Sequence, residues 1–96
     1  MADFYSQKPC RVEHLWKKEK NGKVVVRTFS NEVYGLGPMG SDILVKCDSR
    51  TTIAEILDFL YKKYPQVPAN QIEAETRQFL KTFNKTGPVL LYVDQF

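Results

Sequence analysis

Ninety-six residues, 43% hydrophobic and 26% charged, make an ordinary globular composition that fits one domain, residues 1–96, and leaves no room for a second core. No apolar run approaches the ~20 residues of a membrane span, and MADFYSQKP lacks the apolar stretch of a signal peptide, so a soluble, cytoplasmic chain with no membrane partner is expected. The net charge of +3 is uneven, with seven Lys/Arg against three Asp/Glu in residues 1–30 and seven against eight in residues 31–96, which excludes a chain basic throughout.

The first eight residues are polar with two aromatics and no period, and are expected to be frayed. From Pro9 the residues Cys10, Val12, His14 and Trp16 alternate with Arg11, Glu13, Leu15 and Lys17, the period of a strand. Lys18 to Lys23 carries Asn21-Gly22, a pair that tolerates the positive backbone angles of a tight hairpin. The β-branched run Val24-Val25-Val26-Arg27-Thr28-Phe29 makes the return strand. Ser30-Asn31-Glu32 is a second turn, and Val33-Tyr34-Gly35-Leu36 forms a third short strand. Gly35 inside it marks either a bulge or a close backbone approach.

Gly37-Pro38 ends that strand, and proline suits the first position of a helix. Met39 to Cys47 has apolar residues at helical spacing, yet Ile43-Leu44-Val45-Lys46-Cys47 also reads as a strand, and periodicity does not decide between them. Asp48-Ser49-Arg50-Thr51 is a turn. Thr52-Ile53-Ala54-Glu55 has capping-box spacing and opens a helix to about Lys63, with Ile53, Ile56, Leu57, Leu60 and Tyr64 on one face. Asn70-Gln71-Ile72-Glu73 repeats that spacing, and Ile72, Thr76, Phe79, Leu80 and Phe83 stripe a third helix that closes near Gly87. Residues 88–96 are an extended tail.

The groups that chemistry requires are sparse. Cys10 and Cys47 lack CxxC spacing and make no metal set with the lone His14, so no metal is expected. Both cysteines read as small buried hydrophobes, and His14 as a ring packed on the core. No G-x-S-x-G elbow and no phosphate-binding G-x-x-x-x-G-K occurs, and Gly35-Leu36-Gly37 has only the opening of a dinucleotide loop. A non-enzyme without cofactor is expected.

Leu36-Gly37-Pro38-Met39-Gly40-Ser41-Asp42-Ile43-Leu44, then Cys47 through Ile56, then Ile72-Glu73-Ala74-Glu75-Thr76 with Phe79-Leu80 and Gly87, resembles the PqqD family. A weaker likeness extends to Trp16 and the Val24-Val25-Val26 strand. Where the family usually has Asn-Pro-Thr-Ala after the leucine, this chain has Gly37-Pro38-Met39-Gly40, and where it often has Asp-Gly this chain has Asp48-Ser49. The resemblance implies an α+β fold, a small winged-helix-like domain with a three-stranded antiparallel sheet packed on three helices, and so a helical Met39–Cys47. It further implies a peptide chaperone of natural-product or PQQ-type cofactor biosynthesis. Such a domain binds the leader of a ribosomally made precursor peptide and presents it to a modifying enzyme, such as a radical S-adenosylmethionine enzyme or a leader peptidase. In the family the leader adds as a strand to the edge of the third strand and lies along the third helix.

The residues support that picture independently. Backbone pairing at Val33, Tyr34, Gly35 and Leu36 would set register, and pockets toward the third helix would select side chains. Glu75, Gln78 and Thr82 flank the Ile72/Phe79/Phe83 stripe, and with Phe79 they are the expected groove wall. A homodimer is admitted. Two other classes stand beside this reading. A winged-helix nucleic-acid binder would use the Lys17–Lys23 cluster, although Glu73, Glu75, Arg77 and Lys81 leave the third helix near neutral, which makes nucleic acid an unfavoured partner. A β-grasp interaction scaffold would need Ile43 to Cys47 as a strand.

Overall fold

The computed structural model describes residues 3–90, with the side chains of Lys85 and Leu90 left aside. A three-stranded antiparallel sheet is formed by β2 (Trp16–Lys18), β3 (Val24–Arg27) and β4 (Val33–Gly35) in the order β2-β3-β4. Three helices follow, α1 (Pro38–Lys46), α2 (Ile53–Lys63) and α3 (Ala69–Thr86). The expected sheet on three helices is therefore observed. A second, two-stranded sheet pairs β1 (Cys10–Arg11) with β5 (Val89–Leu90). Among the described residues no helix is long and apolar enough to cross a membrane.

The two hairpin turns form as their residues dictate. Gly22 takes φ 87° in the first and Asn31 φ 67° in the second, and asparagine is among the few side chains that tolerate that region. The ambiguity at Met39–Cys47 resolves to helix, because Pro38 starts α1 and Ile43, Leu44 and Cys47 turn inward together. A β-grasp needs a strand there, so that architecture is excluded. Asp48 holds the next turn by accepting from the Arg50 and Thr51 N–H groups at 2.9 and 2.8 Å, which lowers its carboxyl below its ordinary value. The Thr52–Glu55 capping box is present in both directions, satisfying amides that a helix start leaves unpaired.

Three local expectations are corrected. Residues 3–8 are packed and not frayed: Phe4 is buried, and the Tyr5 and Gln7 carbonyls accept the Ala54 and Ile53 N–H groups at 3.0 and 2.9 Å. The strand drawn from Pro9 to Lys17 is interrupted by a 3-10 turn at Glu13–Leu15, in which the Leu15 N–H donates to Val12. That turn resets the alternation, so Leu15 is buried and His14 is exposed. Finally, α3 begins at Ala69 with Pro68 as its cap and no side-chain cap bond, so Asn70 lies inside the helix. As for the extended tail, β5 accounts for its start and residues 91–96 lie outside the described residues.

The core joins both sheets to the helices. Val24 and Val26 of β3 meet Ile43, Leu44, Ile53, Ile56, Leu60, Ile72, Leu80 and Val89, all essentially solvent-free. Cys47 is buried in this core, and burial, opposed by nearby Arg11, pushes its thiol up to about 12. A thiol held there is not a thiolate at neutral pH. Between α1 and α2, the Tyr64 hydroxyl donates to Asp42 at 2.6 Å and Lys63 pairs with the same carboxylate at 2.9 Å.

Candidate functional site

Among the described residues strand β4 is the last strand on its side of the sheet, and all three of its residues are exposed. Its pairing with β3 is regular, Arg27 opposite Val33, Val26 opposite Tyr34 and Val25 opposite Gly35, so Gly35 is not a bulge. Two flanking bonds fix which backbone groups the ladder uses. The Thr28 N–H donates to Glu32 and the Leu36 N–H to Val24, each at 2.9 Å. Hydrogen-bonding positions in an antiparallel pair alternate. Tyr34 therefore faces β3, while Val33 and Gly35 turn their N–H and C=O groups to the open edge.

Side chains alternate in the perpendicular sense. Tyr34 lies opposite the buried Val26 on the core face, and its ring stands edge-on to Phe83 of α3, centroids 5.9 Å apart. Phe83 in turn meets Phe79 edge-on at 4.9 Å. A Cβ placed on Gly40 of α1 would come within 3.5 Å of Phe79 and 3.6 Å of Leu36, so both pack against the first turn of α1. Edge-to-face geometry of this kind matches the charge distribution of aromatic rings. Tyr34, Phe83, Phe79 and Leu36 thus form one apolar floor from the open edge of β4 to α3 and α1.

Of the residues expected from sequence, Tyr34, Leu36 and Phe79 are joined in this floor, while Val33 and Gly35 contribute the backbone groups of the edge beside it. Glu75, Gln78 and Thr82 fall on the neighbouring strip of α3 and are exposed, with the Gln78 amide donating to Thr82 at 3.1 Å. Among the described residues no hydrogen bond, ion pair or ring contact ties these three to β4. The other flank of α3 is occupied: Arg77 stacks on Phe4 at 4.0 Å, pairs with Glu73 and donates to the Tyr5 hydroxyl. The Tyr5 hydroxyl first, and then Glu73, hold the Arg77 guanidinium above its ordinary value.

Sequence reasoning missed two residues. Phe29 is 66% exposed, lies against Gly87, and donates its N–H to Thr86 at 2.8 Å, tying the β3–β4 turn to the end of α3. Gly87 has φ 127°, and a Cβ there would sit 3.0 Å from the Phe29 ring, so glycine both permits the turn and seats the ring. An aromatic at the end of a β-branched run, just before turn residues, was the available signal. The second is Lys23, whose stem crosses Gly35: a Cβ on Gly35 would fall 2.6 Å from its Cε. Where a bulge or a close backbone approach was expected at Gly35, what comes close is a lysine side chain.

Residues 22–89 match the family model described as coenzyme PQQ synthesis protein D (PqqD). The chain belongs to the PqqD family. The PqqD match opens in the β2–β3 turn and closes in β5, so it takes in β4, all three helices and the whole apolar floor. No curated protein and no solved structure gives a match. Among the described residues no three His, Cys, Asp or Glu side chains cluster as a metal site would require.

Proposed function

We propose that this chain is a leader-peptide chaperone: it binds the leader of a ribosomally made precursor peptide as an added strand on β4 and presents it to a modifying enzyme, with no catalysis of its own. The observation that carries the reading is the open edge of β4, where Val33 and Gly35 offer backbone groups that are unpaired among the described residues, directly beside the floor of Tyr34, Phe83 and Phe79. An unpaired edge is a liability that strand addition removes, and main-chain pairing with side-chain pockets is an established way to bind extended peptides. Membership of a family described as a coenzyme PQQ synthesis protein points to the same kind of pathway. A radical S-adenosylmethionine enzyme or a leader peptidase is the partner such a complex would serve.

The test is titration of the isotopically labelled chain with the leader of a precursor peptide encoded beside its gene. Amide shifts should concentrate at Val33, Tyr34 and Gly35 and at the α3 residues Phe79 and Phe83. Gly35→Pro removes an N–H that faces the edge and not β3, and proline is tolerated on edge strands in that orientation. This variant should stay folded and lose binding by tenfold or more. Shifts confined to residues remote from β4 and α3 would refute the site.

A further inference from the structure

An added strand would expose its side chains alternately to the apolar floor and to the opposite face of the sheet, and that opposite face has a distinct chemistry. By the ladder register, Lys17, Val25 and Gly35 lie in one row across the sheet, and Arg27 and Val33 in the next. Lys23 shares this side: its Nζ lies 3.0 Å from where a Gly35 Cβ would be. The ammonium of Lys23 therefore rests on the edge strand itself. A recess of about 290 Å³, with His14, Lys17, Glu19, Val25, Arg27 and Val33 in its lining, opens on the same face.

Cations outnumber carboxylates here, with Glu19 the one acidic side chain in the recess lining among the described residues. Among the described residues no ion pair engages Lys17, Lys23 or Arg27. Glu19 lies across the first hairpin from Lys23, its N–H donating to the Lys23 carbonyl at 2.8 Å, yet the Lys23 ammonium turns to Gly35 instead. Glu32 sits in the second turn and accepts from the Ser30 hydroxyl. Lys23 is within one strand spacing of a guest residue placed beside Gly35. Arg27 is two spacings, roughly 10 Å, from a guest residue beside Val33, a gap that an arginine and a glutamate span together.

We infer that the peptide this edge accepts carries acidic side chains at two positions separated by one residue, the first beside Gly35 and under Lys23, the second beside Val33 and toward Arg27. The intervening residue is large and apolar and turns onto Tyr34, Phe83 and Phe79. This rests on the strand-addition reading and adds to it the substrate class: an acidic–apolar–acidic segment. Gly35 gains a role from it, since any side chain there would displace the Lys23 stem from the edge.

The test uses two synthetic ten-residue peptides with capped ends, identical alternating sequences that carry either two glutamates or two glutamines at the outward positions. Affinity is measured by fluorescence anisotropy against the full chain and its K23Q/R27Q variant, with amide shifts at Val33, Tyr34 and Gly35 recorded in parallel. The glutamate peptide should bind about fivefold tighter at low salt, the scale of two exposed ion pairs, and the advantage should shrink as salt is raised. The variant should erase that advantage and leave the glutamine peptide unchanged. Equal affinities, with both peptides shifting the β4 amides, would overturn the acidic preference and leave strand addition standing. A glutamate advantage that survives in the variant would overturn the assignment to Lys23 and Arg27. If neither peptide moves the β4 amides, strand addition at this edge falls as well.

Discussion

Tyr34 and Phe83 touch each other yet stand in opposite relations to water, and that separates folding from binding at single residues. Phe83 is 7% exposed and Tyr34 43%. Truncating a buried phenylalanine removes its transfer free energy and leaves a cavity, so Phe83→Ala should cost about 3 kcal/mol of stability. Tyr34→Ala removes a ring already half in water, and its cost should stay within about 1 kcal/mol. A tyrosine at the centre of a peptide interface carries more than its share of affinity, so the same change should weaken leader binding about tenfold. Chemical denaturation beside a binding titration reads both effects. A Tyr34→Ala chain that binds normally would remove the ring from the site.

At the scale of elements, α2 is fastened at its start by two devices. One is the Thr52–Glu55 box, and the other is the N-terminal segment, whose Tyr5 and Gln7 carbonyls take the first amides of the helix while Phe4 enters the core. Thr52→Ala should cost about 1 kcal/mol, whereas Asn70→Ala, inside α3 and exposed, should change stability by less than about 0.5 kcal/mol. Phe4→Ala should cost about 3 kcal/mol; urea midpoints order the three, and a neutral Phe4→Ala would mean the segment is loose after all. These cases also show what the sequence made legible. The Thr52 box, the α2 stripe and the Asn21-Gly22 hairpin are local patterns with a single reading, and they were readable. Asn70 had the spacing of a cap, but Pro68 two residues earlier already supplied a helix start. Phe4 carried no local period because its partners lie far along the chain, and the Lys23 stem over Gly35 likewise depends on strand register that no local window contains. The β4 edge was legible because a short third strand must end one side of the sheet, whereas the contacts that make its floor required α3 to be in place.

For the whole molecule, two titrating groups sit where the layers join. Cys47 is closed into the core beneath β1, and Tyr64 links α2 to Asp42 of α1. Burial raises the Cys47 thiol from 9.0 to about 12, and burial followed by its bond to Asp42 raises the Tyr64 hydroxyl from 10.0 to about 12. A raised value means that the folded chain holds the proton more tightly than the unfolded chain. The folded state is therefore fully favoured below the unfolded value and loses stability as pH rises toward the folded one. Stability should be level from pH 7 to about 9, set by the cysteine. It should then fall by about 1 kcal/mol by pH 10, and more steeply beyond as Tyr64 joins. Urea midpoints followed by far-ultraviolet circular dichroism across this range give the profile. Cys47→Ala should lower the plateau through lost packing yet flatten the step between pH 9 and 10, because the group that releases a proton on unfolding is gone. A step of the same size in that variant would assign the alkaline loss to groups outside the core.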